Sequence, residues 1–230
     1  MQPYFLPYLG YWQLLEAVDR FVILDDVNYI NRGWINRNRI ARSDGMAQWM
    51  TVPLVKASQN KLINEIELQP GSEWRMKMLR TLQGVYGNSH QLHQGLELMR
   101  ELLDTDELNL SRFLARSLRI LRDQLGVSTE IVETSAQFPK DGKWGAERIL
   151  SLCQVLSATK YVNLSGGREM YQRENFAERG IELIFLETNW ENIKLKHGGC
   201  EGPNLSILDL LMHNDVSEIC SALRHVRLCA

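Results

Sequence analysis

Shortages bound this 230-residue sequence before any motif does. No apolar run comes near the roughly 20 residues that a membrane-crossing helix needs. The opening "MQPYFLPYLGY" has no basic stretch, apolar stretch or small-residue cleavage site of a secretory leader. Cysteine is sparse: Cys153, Cys200, Cys220 and Cys229 show no CxxC or other paired ligand spacing. Cys153 falls in the apolar rhythm of "ERILSLCQVL" and reads as core. The expectation is a reduced, cytoplasmic protein. Excess charge of either sign is also lacking. With 26 Lys and Arg against 28 Asp and Glu the net charge is -2, which gives no reason to expect DNA or an anionic membrane as partner. Internal repeats, low-complexity tracts and Pro/Ser linkers are absent, so residues 1–230 read as one domain.

What is present is alternation of element types. "YWQLLEAVDR" has Trp12, Leu15 and Val18 at helical spacing, and "RFVILDDV" is an apolar run ended by two carboxylates, as in a strand buried on both faces. "QWMTVPLV" and "INEIEL" are further strand candidates. Residues of about 72–126 turn helical, with a Ser cap expected before "EWRMKMLRTLQGVY". In the same insert "DELNLSRFLARSLRILRDQLG" puts Leu110, Phe113, Leu114, Leu118, Leu121 and Leu125 on one stripe that stops at Gly126. From Thr129 to Glu187, strand, helix, strand, helix, strand is the βαβ pattern of a parallel sheet. "SILDLLMHN" and "VSEICSALRHV" close the chain as helices. The fold class expected is three-layer α/β, a parallel-sheet sandwich with a helical insert.

In such sheets ligands gather beyond the carboxyl ends of strands. "QPYFLPYLG" has the composition of such a strand-to-helix loop: two prolines fix its path, and Gly10 lets backbone approach closely. Gln2, Pro3, Tyr8, Gly10 and Tyr11 are candidates to line a sugar or base pocket, tyrosine offering both a ring and a hydroxyl. A buried turn is the alternative. A loop of this kind needs a strand to hold it: the expectation is that an apolar strand lies a few residues upstream of this start, the alternative that the fold does without one.

Four further clusters carry chemistry. Asp25 and Asp26 end the buried strand, and adjacent carboxylates there point to different faces. One of them could act as a general base, bind a sugar hydroxyl or hold Mg²⁺, or the pair could serve as a helix cap or as an ion pair with the arginines just downstream. "NRGWINRNRI" sets Asn36, Arg37, Asn38 and Arg39 beside Trp34. In an extended chain Arg37 and Arg39 share one face and Asn36 and Asn38 the other, so the arginine forks can grip phosphate or carboxylate together. Ser165, Gly166 and Gly167 lie between a strand and a helix, where backbone N–H groups form an anion cradle or merely a tight turn, with Tyr171 one turn into that helix. Near the last helices His197 is the acid/base histidine candidate. Asn204 is a ligand candidate, with Asn204 or Ser206 as helix cap the alternative. Cys200 lacks a readable neighbouring base, and His90 and His93 lack a third ligand, so no metal site is assigned.

Taken together, "QPYFLPYLGYWQLL", "FVILDDVNYINRGWINRNRI", "WMTVPL", "INEIEL", "LSGGREMY" and "GPNLSILDLL" resemble the bacterial WbqC-like proteins, end to end and in order. The resemblance implies a role in O-antigen and other surface-polysaccharide clusters: transfer of an acyl or aminoacyl group, such as glycine, to an amino sugar or nucleotide-sugar amine. The start also resembles nucleotidyltransferase-type folds with a His-x-Gly-His loop. Here Tyr8-Leu9-Gly10-Tyr11 stands in that place, so the two imidazoles that would stabilise a transferring phosphate are missing. The reading is therefore a transferase with Asp25, Asp26 and His197 as catalytic candidates, a nucleotide-sugar as partner, and ATP with Mg²⁺ as the cofactors it allows. An aminoacyl-tRNA donor stays open, as do a metal-dependent nucleotidyl- or glycosyltransferase and a non-catalytic binding module.

Overall fold

The computed structural model describes residues 1–42, 44–198 and 205–229. In chain order the first half runs α1 (Leu9–Glu16), β1 (Arg20–Val22), β2 (Arg37–Ala41), β3 (Ala47–Thr51), β4 (Leu54–Val55), β5 (Glu67–Leu68), α2 (Glu73–Val85), α3 (Leu92–Leu103) and α4 (Leu110–Gln124). The second half runs β6 (Glu130–Val132), α5 (Gly145–Val155), β7 (Lys160–Leu164), α6 (Arg173–Ala177), β8 (Glu182–Thr188), α7 (Ile207–His213), α8 (Val216–Leu223) and β9 (Val226–Cys229).

The architecture is mixed α/β, but among the described residues the strands form four small sheets rather than one continuous parallel sheet. β1 pairs with β6 in parallel, and β7 with β8 in parallel, with β9 added antiparallel on the far side of β8. β2–β3 and β4–β5 are antiparallel pairs. Three expectations are corrected. The last helix stops at Leu223 instead of running to Val226, and Val226–Cys229 forms a strand because its backbone finds the open edge of β8. Most of "INEIEL" is a 3-10 turn over Ile63–Glu65, leaving only Glu67–Leu68 as strand. Pro53 splits "QWMTVPLV" into β3 and β4, since proline has no N–H for a ladder.

The helical insert follows its pattern. Leu110, Phe113, Leu114, Leu118, Leu121 and Leu125 are all buried in the main core. Asn109 caps α4 by accepting from the Arg112 amide, and Gly126 ends it at φ +64°. Ser72, by contrast, makes no side-chain cap bond to α2. Among the described residues no helix is long and apolar enough to cross a membrane.

The start of the chain already belongs to the β1 ladder. The Met1 amine donates to the Val22 carbonyl at 2.9 Å, and the Leu24 amide donates to the Met1 carbonyl at 2.8 Å. That amine is buried, and desolvation pulls its pKa down to about 5. Beside it a cavity of about 620 Å³ separates β1 from β7.

Candidate functional site

The Pro-Tyr loop is stitched to β2 and to the start of α7. Asn38, fully buried on β2, donates its amide to the carbonyls of Phe5 (3.1 Å) and Leu6 (2.7 Å). The Ser206 hydroxyl adds a bond to the Leu6 carbonyl at 2.9 Å, and the Ile207 amide donates to Pro7 at 3.0 Å. These bonds hold Leu6 at φ 48°, a left-handed conformation that a leucine adopts only when its surroundings impose it. Ser206 also caps α7 through the Leu208 amide, the alternative that its sequence position offered.

The loop's tyrosines divide into core and surface. Tyr11 is completely buried and donates its hydroxyl to the Gln2 carbonyl at 3.0 Å, which is a turn-holding role. Tyr4 and Tyr8 are half-buried. Burial, reinforced by Tyr4, pushes the Tyr8 hydroxyl up to about 12. Gly10 lies within α1, and a Cβ there would come within 2.8 Å of the Tyr8 ring and 3.4 Å of the Thr188 hydroxyl. Glycine is needed at this position for close packing, and the Tyr8 ring owes its seat to it.

β2 separates its side chains as alternation requires. Asn36 and Asn38 are buried; Asn36 donates to the Val52 carbonyl at 2.8 Å and accepts from the Tyr29 hydroxyl at 2.8 Å. Both asparagines therefore spend their amides inside the protein. Arg37 and Arg39 leave from the other face. The Arg37 guanidinium lies 4.0 Å over the Trp49 ring, Arg39 lies 5.5 Å from the Trp34 ring, and the two indoles are 5.1 Å apart. Arg37 also donates to the carbonyls of Gly33 and Arg32. The buried Nε of Arg39 has no hydrogen-bond partner among the described residues. Trp49, 45% exposed, keeps the cluster open to solvent. Two cations and two rings on one face can bind an anion such as phosphate while a planar or sugar ring stacks alongside.

The carboxylates sit in a separate, closed network. Asp25 accepts from the hydroxyls of Ser111 (2.6 Å), Thr134 (2.8 Å) and Ser135 (3.2 Å) and from the Ser135 amide (3.1 Å). Asp26 accepts from the Ser135 hydroxyl at 2.6 Å and pairs with Arg148 at 2.8 Å, both side chains being almost fully buried. Arg148 further donates to the carbonyls of Pro139, Ser135 and Phe138. The ion pair foreseen for this position exists, but its arginine comes from α5 rather than from the segment just downstream.

The remaining candidates disperse. Ser165, Gly166 and Gly167 open a 3-10 helix over Ser165–Met170, and a Cβ on Gly167 would come within 2.9 Å of the Asn163 amide. Tyr171 follows that helix instead of lying one turn into α6, and its hydroxyl accepts from Tyr161 at 3.2 Å. His197 is exposed, beside α7, and none of the described partners of Asp25 or Asp26 is this histidine. Asn204 and Cys200 lie outside the described residues. Sequence reasoning missed Trp49, Arg148 and the Ser111–Thr134–Ser135 hydroxyls. Trp49 joins through the β2–β3 register that sets it opposite Arg39, and Arg148 is the charge within the buried run of α5; neither partner is visible in the local sequence.

With this geometry in view, comparison with known proteins is informative. The model of the WbqC-like protein family matches residues 2–220. The chain belongs to the WbqC-like protein family. A relative from Mycobacterium tuberculosis, the uncharacterized protein Rv1507c, is 34% identical over 216 residues, covering 93% of this chain and 91% of that protein. No solved structure matches the chain. The family match takes in the Pro-Tyr loop, the Arg/Trp face and the carboxylate network alike.

Proposed function

We propose that this WbqC-like chain is a transferase of surface-polysaccharide biosynthesis that joins an acyl or aminoacyl group, such as glycine, to the amine of a nucleotide-linked amino sugar. Family membership supports the link to O-antigen biosynthesis. The observation that carries the reading is the Arg37–Trp49–Trp34–Arg39 cluster with its unpartnered Arg39 Nε. In this reading Arg37 and Arg39 hold the diphosphate, while Trp49 and Trp34 carry the base or sugar ring. Tyr8 and Gln2 are then the loop residues left to meet the acceptor, since Tyr11, Asn36 and Asn38 are committed to internal bonds.

Chemically, the amine must lose a proton as its bond to the acyl carbon forms, and the donor's leaving group departs. Asp25 or Asp26 is the proposed proton acceptor; His197, exposed beside α7, shares no bond with either among the described residues. To serve, either carboxylate must first release hydroxyl donors that now occupy its oxygens. The same saturation weighs on Mg²⁺ at this pair: a metal there would have to displace Ser111, Thr134 or Ser135. It therefore gives specific support to a second reading, a module that binds a nucleotide-sugar without turning it over.

The test is direct. Pure protein is incubated with UDP-amino sugars, glycine and ATP, or with glycyl-tRNA in a separate arm, and products are read by mass spectrometry. An amide product supports the transferase; AMP or released tRNA identifies the donor. Nucleotide-sugar binding with no product in either arm supports the binding module. Absence of binding, or binding unaffected by Arg37→Met with Arg39→Met, refutes the placement of the ligand.

A further inference from the structure

Where the turn between α2 and α3 meets α7, a second polar chain runs through the helical side of the molecule. The Tyr86 hydroxyl donates to one carboxylate oxygen of fully buried Asp209 at 3.0 Å, and the Gly198 amide donates to the other at 3.2 Å. With both of those oxygens engaged, it is the Asp209 main-chain carbonyl that reaches the next group. His213 Nδ1 lies 2.8 Å from it, and on the other side of the ring Ser89 Oγ lies 3.2 Å from Nε2. None of these groups belongs to the Arg/Trp face or to the network around Asp25 and Asp26.

The partners decide where the protons are. A carbonyl oxygen only accepts, so Nδ1 carries the hydrogen; in the neutral ring Nε2 is then bare, and the Ser89 hydroxyl is the donor. That is the direction in which a histidine activates a hydroxyl: the base is within reach, and a third group holds the base. The imidazole is fixed further by the Tyr86 ring, tilted 68° to it with centroids 5.6 Å apart. The spacing of Ser89 from His213 is set by the backbone as well. The Gln91 amide donates to the Met212 carbonyl at 3.2 Å, and the Gln91 side chain donates to Asp215. Ser89 and His213 are both half-buried, so the hydroxyl is held in place and still meets solvent. The His90 amide, next in the chain, donates to no carbonyl among the described residues. The amide after a nucleophile is where acyl transfer places a donor for the developing oxyanion.

We propose that Ser89 and His213 form a nucleophilic centre that takes an acyl group from an activated ester or thioester. The Ser89 oxygen bonds to the acyl carbon as its proton passes to His213 Nε2. The donor's C–O or C–S bond breaks, and the leaving alkoxide or thiolate takes that proton. Water or an amine then attacks the acyl carbon and gives its own proton to Nε2; the Ser89 oxygen leaves and recovers it. The Asp209 carbonyl holds Nδ1–H throughout. The proposal stands without the transferase reading, since it uses neither a nucleotide-sugar nor Asp25 and Asp26.

The test treats the full chain with diisopropyl fluorophosphate, which a nucleophilic serine attacks at phosphorus with loss of fluoride, and maps the adduct by mass spectrometry. One adduct is expected, on Ser89, and its rate should fall roughly a hundredfold or more in His213→Gln. With p-nitrophenyl acetate, the parent should release nitrophenol and carry a transient acetyl group on Ser89, and Ser89→Ala should do neither. A parent chain in which Ser89 stays unlabelled by both reagents overturns the proposal with no variant needed. So does labelling that a folded His213→Gln leaves at the parental rate, because Ser89 would then owe nothing to the imidazole.

Discussion

Replacing Arg148 by methionine isolates what the carboxylate network contributes. The guanidinium is 1% exposed and does four things at once: it pairs with Asp26 at 2.8 Å and donates to the carbonyls of Pro139, Ser135 and Phe138 at 2.6, 2.7 and 3.2 Å. Methionine keeps much of the stem's volume and removes every donor. Asp26 is then left as a buried anion with only the Ser135 hydroxyl, and breaking a buried pair in this way costs about 3–5 kcal/mol. In a chain of this size that corresponds to a fall in Tm of roughly 6–20 °C. Asp26→Asn is milder, because the amide oxygen still accepts from Ser135 and the guanidinium keeps its three carbonyls. Urea denaturation of the parent, both single variants and the double variant at pH 7 gives the coupling between the two residues. A value above about 2 kcal/mol is expected for groups in direct buried contact. If Arg148→Met unfolds within 1 kcal/mol of the parent, the network does not anchor the end of β1. The hydroxyls around Asp25 and Asp26 would then need another explanation.

Four further outcomes follow. Asn38→Ala removes its two bonds to the Phe5 and Leu6 carbonyls and should destabilise by about 2–4 kcal/mol in the same assay; loss of under 1 kcal/mol would mean that the bonds from Ser206 and Ile207 suffice to hold the left-handed residue. Gly10→Ala must displace the Tyr8 ring, at a cost of about 1–3 kcal/mol, and calorimetry should show weaker nucleotide-sugar binding than stability alone explains. Arg37→Met with Arg39→Met should change Tm little but weaken binding roughly tenfold or more. Burial raises the Cys153 thiol to about 11 from an unfolded value near 9. Its contribution to stability is therefore present below pH 9 and lost as pH rises from 9 to 11; Cys153→Ala should flatten that part of the urea-midpoint profile.

Much of the frame was legible because it rests on periodicity. The α4 stripe, the Asn and Arg faces of β2 and the β6–α5–β7–α6–β8 succession are all local patterns that packing preserves. What was not legible depends on long-range pairing. β9 forms only because β8 has a free edge, and the short run at its place resembles the tail of a helix. Arg148 reaches Asp26 across more than a hundred residues, so "LDDV" shows two carboxylates and nothing of what satisfies them. The same holds for the candidate site. The arginines and Trp34 were visible as a polar cluster, but Trp49 joins them through hairpin register. His197 and the Ser165–Gly167 turn looked alike in promise, yet the structure gives neither a bond to the carboxylates.

The tyrosines in the first loop carry a consequence for pH. An imidazole in that place would gain charge as pH falls through about 6–7 and would grip a phosphate more tightly below it. Tyr8 does the reverse: its hydroxyl is held up to about 12, so it stays a neutral donor over the whole physiological range. The positive charge of the proposed ligand face comes from Arg37 and Arg39. Nucleotide-sugar binding should therefore be flat between pH 6 and 9 once the ligand's own phosphate titration is subtracted. Isothermal titration across that range decides the matter. A protein-borne inflection that disappears in His197→Gln would place that exposed histidine against the ligand. It would also move the site from the Arg/Trp face toward the loop before α7.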